Sequence, residues 1–272
     1  MQSEQTQPLA QAVARPLGRA GRGTLRFVSE TGGLAIFAGR AVARLFHHPF
    51  RHPLRARQLV VQIEFVGARS LTVIALAATF TGLVLALQGY AVLVRFGSEN
   101  LMGSLVALSL TRELAPVLTG LMVTARAGSA MAATIGNMAV TEQIDALDSL
   151  AVDPLRYLVV PRLLAAVITL PLLAALFSMA GIVAAYLFGV FVLGVDGMVF
   201  MANVRSSVEW RDVWVGLVKA GVFGALIAAV ATFRGYETRG GAEGVGRSTS
   251  RTVVESAVLI LCGDYVMTAL LF

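Results

Sequence analysis

Five stretches of the chain are apolar over 20 residues or more, and most charged residues lie between them. A helix needs about 20 apolar residues to cross the roughly 30 Å hydrocarbon core of a bilayer. The alternation therefore predicts five membrane-spanning helices with polar connections. These predicted spans cover residues 71–94, 101–123, 163–192, 213–233 and 253–272.

The region before the first span follows a different pattern. Between residues 25 and 46, apolar side chains share one helical face and basic side chains another, with Phe37 on the polar side. A basic amphipathic helix lies in the plane of the membrane interface. We therefore expect an interfacial helix over 25–46. Residues 1–23, rich in Gln, Arg and Gly, are expected to form a disordered cytoplasmic tail, although an acid-poor, arginine-rich start is also typical of a transit peptide.

Composition supports a membrane protein without a soluble domain. Hydrophobic residues make up 57% of the 272 residues and charged residues 14%, with a mean hydropathy of +0.76. Soluble domains carry about 25% charged residues. We therefore expect residues 24–272 to form one all-α integral membrane domain. Its single cysteine, Cys262, excludes an internal disulfide.

The distribution of Lys and Arg predicts how the spans are oriented. Segments 1–70, 124–162 and 234–251 carry ten, three and four of these residues, while the loops on the other side carry three in total. Basic residues accumulate in cytoplasmic loops. The N-terminus is therefore expected in the cytoplasm and the C-terminus outside. The basic pI of 10.2 follows from this membrane topology and does not indicate nucleic-acid binding.

Four charged residues lie inside the predicted spans. Arg112 and Glu113 fall at the midpoint of the second span, Lys219 in the fourth and Asp264 near the middle of the fifth. Charged side chains at such depth face a bundle interior or a water-filled cavity. The four charges sum to zero, and Gln88, near the outer end of the first span, could join them.

Two interpretations of these charges remain open. They could form salt bridges that hold the helices together, or they could line a polar transport cavity. Pro116 removes the amide that would bond the Arg112 carbonyl, so a kink is expected beside the charges. Pro171 should bend the 30-residue third span in the same way. Rows of small residues along the second and fourth spans predict close helix packing, either within one chain or between two copies.

An acidic segment, 140–154, stands out among the basic cytoplasmic loops. Ile144, Leu147 and Leu150 recur at helical spacing, and Asp153-Pro154 ends the segment. We expect a short amphipathic helix along the membrane surface. Its apolar stripe could bind another protein, or the helix could be a capped connector packed on the bundle.

Other chemistries find little support in the sequence. The segment "GAEGVGRS" (241–248) approaches the phosphate-loop pattern, but Arg247 replaces the lysine and no strand precedes it. The histidines of "HHPFRHP" (47–53) have no acidic or cysteine partner nearby, so we predict no metal site. No catalytic constellation of Ser, His, Cys or Asp is apparent, so we predict that the chain is not an enzyme.

Six ordered stretches resemble the MlaE/YrbE family of ABC-transporter permeases. They are "LALQGY" (85–90), "LVALSLTRELAPVLTGLMVTARAGSAMAA" (105–133), "VTEQIDALDSLAVDPLRYLVVPR" (140–162), "ITLPLL" (168–173), "GAEGVGRSTSRTVV" (241–254) and "DYVMTALLF" (264–272).

The resemblance implies a homodimeric permease in the inner membrane of a Gram-negative bacterium. It would move phospholipid between that membrane and a periplasmic MCE protein and so maintain outer-membrane lipid asymmetry. Two ATPase subunits, which bind ATP and Mg, would sit beneath it and an MCE-domain ring above it, with a STAS-domain protein on the ATPase. The chain itself would hold no cofactor.

The resemblance also implies roles for individual residues. The segment 141–150 corresponds to the family's coupling helix, and the charged positions inside the spans lie around its lipid pathway. The residues expected to dock into the ATPase are Glu142, Gln143, Ile144, Asp145 and Leu147; those expected along the pathway are Gln88, Arg112, Glu113, Lys219 and Asp264.

Three rival readings stay open. One is a permease of an MCE system for other hydrophobic substrates, such as sterol-like molecules. Another is a proton-coupled secondary transporter that uses Glu113 and Asp264 as a relay. The third is a membrane scaffold without a translocation path, for which buried charges on three helices have no purpose.

Overall fold

The structure is a computed structural model that describes residues 29, 32–44 and 53–271. The tail expected over 1–23 and the three histidines of segment 47–53 lie outside the described residues, as do both ends of the interfacial helix expected over 25–46. Regular structure in the described ranges is helical throughout. The helices are α1 (32–44), α2 (Pro53–Val66), α3 (Leu71–Leu93), α4 (Met102–Ser109), α5 (Ala115–Val123), α6 (Ser129–Val140), α7 (Gln143–Ser149), α8 (Val160–Phe191), α9 (Gly197–Ser207), α10 (Trp210–Tyr236) and α11 (Gly241–Leu271).

Five helical stretches among the described residues are long and apolar enough to cross a membrane. In chain order these spans are Arg57–Phe96, Glu99–Val140, Leu155–Phe191, Trp210–Tyr236 and Gly241–Leu271. The prediction of an all-α protein with five spans is therefore confirmed. The second span is one 42-residue unit, because two π-helical turns, Leu110–Leu114 and Thr124–Gly128, join α4, α5 and α6 without a break.

The second span extends well past its expected end near residue 123. Arg126 had suggested a boundary, but its guanidinium finds polar partners within the protein. Its Nε donates to the Ser70 hydroxyl at 2.8 Å, and its Nη2 donates to the Phe65 carbonyl at the end of α2. Because these bonds satisfy the charge, the helix continues to Val140. The fifth span likewise begins at Gly241, twelve residues before its predicted start at 253.

Two helices were not predicted from the sequence. α2 lies before the predicted start of the first span at residue 71, and most of it belongs to the helical stretch Arg57–Phe96; it packs against α8. α9 lies in the loop between the third and fourth spans, and the Asp196 carboxylate caps its start by accepting from the amides of Met198 and Val199. Its fully buried Phe200 packs close to Gly103 on α4. The beginning of the second span is therefore covered by α9.

The described part of the interfacial helix, α1, contacts the bundle through Phe37, the apolar residue on its polar face. The Phe37 ring packs against Phe233 and Tyr236, with centroid distances of 5.4 and 5.9 Å. Ala41, one helical turn later, is buried, while Ile36 and Val42 on the predicted apolar face are exposed. α1 thus uses one face to pack on the protein and leaves the other available for lipid.

The third and fourth spans form the centre of the bundle. α8 packs against α2, α3, α5 and α10, and α10 also packs against α6 and α11. The second span crosses this arrangement from one side to the other. Its first part, α4, contacts α3 and α9, whereas its last part, α6, contacts α10 and α11. Its middle part, α5, contacts α8, α10 and α11, so residues there lie beside the helices that carry Lys219 and Asp264.

Small residues allow the central helices to approach closely. A Cβ on Gly224 of α10 would lie 2.5 Å from the Ala166 carbonyl oxygen of α8, and one on Gly216 would clash with the Thr111 carbonyl. Gly128, Ala132 and Gly136 of the second span are also buried. These rows therefore pack within one chain. α8 continues through Pro171, so a bend there stays a prediction.

We predict that Gly224→Ala destabilises the protein by about 1–3 kcal/mol, because the added methyl group overpacks a backbone contact. Reversible unfolding in mixed micelles, titrated with a denaturing detergent, measures the change. Gly246→Ala is the matched control, since a Cβ there meets nothing within 4 Å. Equal stability of the two variants would contradict the close packing of α8 and α10.

Candidate functional site

A π-helical turn opens the backbone of the second span at its two adjacent charges. The Ala115 amide donates to the Leu110 carbonyl, five residues back, in the turn that contains Arg112 and Glu113. Pro116 follows and has no amide proton to donate. The Arg112 carbonyl therefore has no helical donor, and it accepts a hydrogen bond from Lys219 Nζ at 3.2 Å. π turns of this kind occur frequently at functional sites.

Lys219 is the centre of the charged cluster. Its side chain is 0% exposed, and its ammonium group reaches oxygens on two other helical segments as well as the Arg112 carbonyl. Nζ lies 2.6 Å from Glu113 Oε2, 3.0 Å from Asp264 Oδ1 and 2.7 Å from Thr268 Oγ1. Since an ammonium has three protons and four oxygens surround it, Lys219 has no donor left for a ligand.

Arg112 belongs to a separate ion pair. Its Nε donates to Asp212 Oδ1 at 2.8 Å, and its Nη2 lies 2.7 Å from the same oxygen. Asp212 is buried near the start of α10, where its other oxygen accepts from the Glu209 amide in a capping box. Because Asp212 precedes the predicted span, it was not recognised as part of the charged set. The capping-box spacing of Glu209 and Asp212 is the signal that could have revealed it.

The expectation of a neutral four-charge set is therefore wrong in detail. Lys219 joins Glu113 and Asp264, whereas Arg112 joins Asp212, so the cluster contains two cations and three carboxylates. With every group ionised its formal charge is −1. We define these five residues as the charged cluster.

Exposure differs sharply among members of the charged cluster. Lys219 and Asp212 side chains are 0% and 2% exposed, while those of Arg112 and Glu113 are 38% and 37% exposed. A partly exposed charge within a membrane span requires water, a polar ligand or another subunit. Arg112 and Glu113 are thus the most exposed members of the charged cluster, and the Asp264 side chain is 20% exposed.

The charged cluster lies at the end of the bundle where α10 begins and α11 ends. The helix of the second span extends from Glu99 to Val140, so Arg112 and Glu113 lie closer to its beginning than to its end. Their expected position at the midpoint of the stretch that crosses the membrane stays a prediction. Lys219 comes five residues, about 8 Å, after the exposed Trp214 on α10. Exposed tryptophans are typical of a membrane interface.

An apolar cavity lies near the charged cluster, and its wall includes Thr111 and Val213, the chain neighbours of Arg112 and Asp212. Its volume is about 260 Å³, and Thr111 and Pro116 of the second span form part of its wall. The remaining wall comes from the third and fourth spans and from α9, with Met179, Val204 and Gly216 among its residues. The structure therefore places a hydrocarbon-lined space beside a charged one.

Two expected site residues lie away from the charged cluster. Gln88 is exposed on α3, and none of the hydrogen bonds around Lys219 or Arg112 described above involves it. Pro171 lies on α8 near Gly221, where its ring would be 3.6 Å from an added Cβ. The structure thus does not bring Gln88 into the set, and Pro171 contributes to packing between the third and fourth spans.

The acidic loop forms a short helix, but its apolar stripe is divided between two environments. Ile144 of α7 is 5% exposed and packs with Ile135 and Leu158, and Leu147 packs against the same group. Leu150 is exposed. The expectation that Ile144 docks into another protein therefore conflicts with its burial. Docking would instead use the exposed Glu142, Gln143 and Asp145, which the packing of Ile144 and Leu147 holds outward.

Contacts from both sides fix this loop to the bundle. Glu142 and Ala151 have φ values of 57°, a left-handed conformation uncommon for residues other than glycine, at the two ends of α7. Asp153 pairs with Arg44 of α1 and also accepts from the Leu155 amide at 3.1 Å. The loop therefore connects the interfacial helix to the start of the third span.

Among the described residues, no group of His, Cys, Asp and Glu could hold a metal ion.

Comparisons with known proteins agree on one family. The family described as "Permease MlaE" matches residues 59–270. A probable ABC transporter permease protein of Rickettsia felis is 43% identical over 252 residues, which cover 93% of this chain and 96% of that protein. The intermembrane phospholipid transport system permease protein MlaE of Haemophilus influenzae is 44% identical over 79% of this chain and 82% of its own length.

A more distant relative comes from a plant. The chloroplastic protein TRIGALACTOSYLDIACYLGLYCEROL 1 of Arabidopsis thaliana is 35% identical over 87% of this chain and 67% of its own length. The resemblance inferred from the ordered stretches of the sequence is therefore confirmed.

We predict that Lys219→Met destabilises the protein by about 3–5 kcal/mol, because it leaves the Glu113 and Asp264 carboxylates without their shared cation. Detergent-induced unfolding measures the loss, and the exposed Arg205→Met should change stability by no more than about 0.5 kcal/mol. The triple variant Lys219→Met, Glu113→Gln, Asp264→Asn should recover most of the loss. If Lys219→Met is as stable as the parent chain, the cluster does not hold the helices together.

Proposed function

This chain belongs to the MlaE permease family, and from that premise we propose that it is the membrane-spanning permease subunit of an ATP-driven phospholipid transporter. The observation that carries the proposal is the exposure of Arg112 and Glu113 beside an apolar cavity, within a cluster whose other cation is buried. A phospholipid combines the same two chemistries, a charged headgroup and hydrocarbon tails.

Each member of the charged cluster would have a distinct task. Arg112 would bind the phosphate through its guanidinium, which suits phosphate geometry. Glu113 would bind the ammonium of a zwitterionic headgroup. Lys219 would act as a positioning residue, since it holds Glu113 and Asp264 in place and has no donor left for the lipid. Lipid tails would enter the adjacent apolar cavity.

Energy would come from partner subunits. Two ATPase subunits, which bind ATP and Mg, would dock on α7, where the Glu142, Gln143 and Asp145 side chains are exposed. The chain would be a non-catalytic subunit without a cofactor of its own. The names of the Rickettsia and Haemophilus relatives, which describe ABC transporter and phospholipid transport system permeases, support this division of labour.

A second copy of the chain would cover α11. Among the 18 most apolar consecutive residues of each span, only 11% are buried in the fifth span, against 56% in the fourth. α11 also carries Asp264 and Thr268, which belong to the polar region around Lys219. A homodimer would therefore bring two charged clusters near one interface.

The setting would be the inner membrane of a Gram-negative bacterium. The permease would exchange phospholipid with a periplasmic MCE ring, and a STAS-domain protein would bind the ATPase. This traffic would maintain outer-membrane lipid asymmetry.

We predict that phospholipid transfer depends on ATP and on Arg112. The complex of permease, ATPase and MCE protein, reconstituted in proteoliposomes, should transfer a fluorescent phospholipid to acceptor MCE protein only during ATP hydrolysis. Arg112→Gln should reduce the rate at least tenfold, whereas exposed Arg95→Gln should not. Transfer that follows a pH gradient without ATP would favour the proton-coupled alternative, and transfer of sterol alone would favour the other substrate class.

We also predict that Glu142→Ala with Asp145→Ala weakens ATPase docking at least tenfold, because these carboxylates are exposed on α7 while its apolar residues are packed inward. Co-purification and lipid-stimulated ATPase activity provide the readouts. Glu64→Ala removes an exposed carboxylate from α2 and is the matched control. Undiminished docking of the double variant would remove α7 from the ATPase interface.

A further inference from the structure

A second cavity, which is polar, lies at the other end of the bundle, between the end of α10 and the beginning of α11. Its volume is about 280 Å³, and four arginines line it together with one carboxylate, Glu237. Arg234 comes 15 residues after Lys219 on α10, so the cavity lies about 22 Å from the charged cluster along the helix. These four residues, Arg234, Arg239, Arg247 and Arg251, are all the basic residues of segment 234–251.

The arginines of this cavity differ in how they are paired. Arg234 is held by Glu255 at 2.7 Å and Glu237 at 3.2 Å, and Arg247 lies 3.4 Å from Glu243. The side chains of Arg239 and Arg251 are exposed and form no ion pair or hydrogen bond with the described residues. Arg239 and Arg251 thus line the cavity without a partner among the described residues.

The hydroxyl groups that line the cavity are already engaged as donors, so the arginines are its available side-chain donors. The Thr238 and Ser248 hydroxyls both donate to the Arg234 carbonyl, at 2.9 and 2.8 Å, so their protons are already used. The first turn of the 31-residue α11 also begins at this cavity, and its amides favour an anion. The lining therefore matches a ligand that carries several acceptor oxygens and negative charge.

We propose that this cavity binds the phosphate group of an anionic ligand, with Arg239 and Arg251 as its principal contacts. Arginine forks match phosphate oxygens, and basic pockets between membrane helices on the cytoplasmic side bind anionic lipid headgroups. The positive-inside orientation expected from the sequence puts the cavity on that side. The site goes beyond the proposed function, because binding here requires neither transport nor the charged cluster.

The phosphate could come from two sources, a phospholipid of the cytoplasmic leaflet or a soluble phosphate. The segment 241–248 does not form a phosphate loop, because its residues lie in the first two turns of α11. Nucleotide binding of the phosphate-loop kind is therefore not the source of the anion.

The test measures ligand affinity from the shift in thermal unfolding midpoint of the full chain in neutral detergent. The probes are short-chain phosphatidylglycerol, short-chain phosphatidylcholine and inorganic phosphate. We expect Arg239→Gln with Arg251→Gln to weaken phosphatidylglycerol binding at least tenfold. The control, Arg40→Gln with Arg57→Gln, removes two exposed arginines of the same expected side and should change the affinity less than twofold.

The arms of the experiment separate the two sources. Tight binding of phosphatidylglycerol that depends on Arg239 and Arg251, with weak binding of inorganic phosphate, supports a lipid headgroup. Equal affinity for inorganic phosphate supports a soluble anion at the same site.

The proposal is overturned by any of three results. Both double variants could weaken phosphatidylglycerol binding equally, which would indicate diffuse surface attraction. As a second result, neither double variant would weaken phosphatidylglycerol binding. Alternatively, the Arg239 and Arg251 variant could lose the partner ATPase while it keeps full lipid affinity, which would assign the arginines to a protein interface. None of these results depends on whether the permease transports lipid.

Discussion

A buried ammonium within a membrane-spanning bundle must receive every hydrogen-bond acceptor from the protein, and Lys219 imposes this constraint on three spans. Glu113 comes from the second span, Asp264 and Thr268 from the fifth, and the fourth acceptor is a backbone carbonyl. That carbonyl lacks its usual donor four residues later because Pro116 has no amide proton. The π turn, Pro116 and Lys219 therefore form one interaction network, which holds Glu113 and Asp264 in fixed positions.

Arginines at π-helical turns extend the same principle along the bundle. Arg112, Arg126 and Arg156 each lie in one of the π turns, at Leu110–Leu114, Thr124–Gly128 and Leu155–Val159. Arg126 ties α2 to the second span, and Arg112 ties that span to α10. A wider helical turn displaces the backbone locally, so a long cation there can reach across to a neighbouring helix.

The sequence predicted the five spans because an apolar helix leaves a strong length signal. It also indicated that Arg112, Glu113, Lys219 and Asp264 form one region, since each is costly unless the others are near. It did not reveal which charges pair. Asp212 precedes the apolar run and resembled a flanking loop residue, yet the capping box at the start of α10 buries it. The inward packing of Ile144 was also not predictable, because a helical stripe does not indicate which surface covers it.

We propose that Arg112 and Glu113 face a lipid headgroup while Lys219 holds the cluster together. An experimental structure of the lipid-loaded complex with its ATPase would locate that headgroup. We expect a phosphate within about 3 Å of the Arg112 guanidinium, at charge-assisted hydrogen-bond distance, with acyl density in the adjacent apolar cavity. Lipid bound elsewhere, with Arg112 and Glu113 closed off by protein, would contradict it.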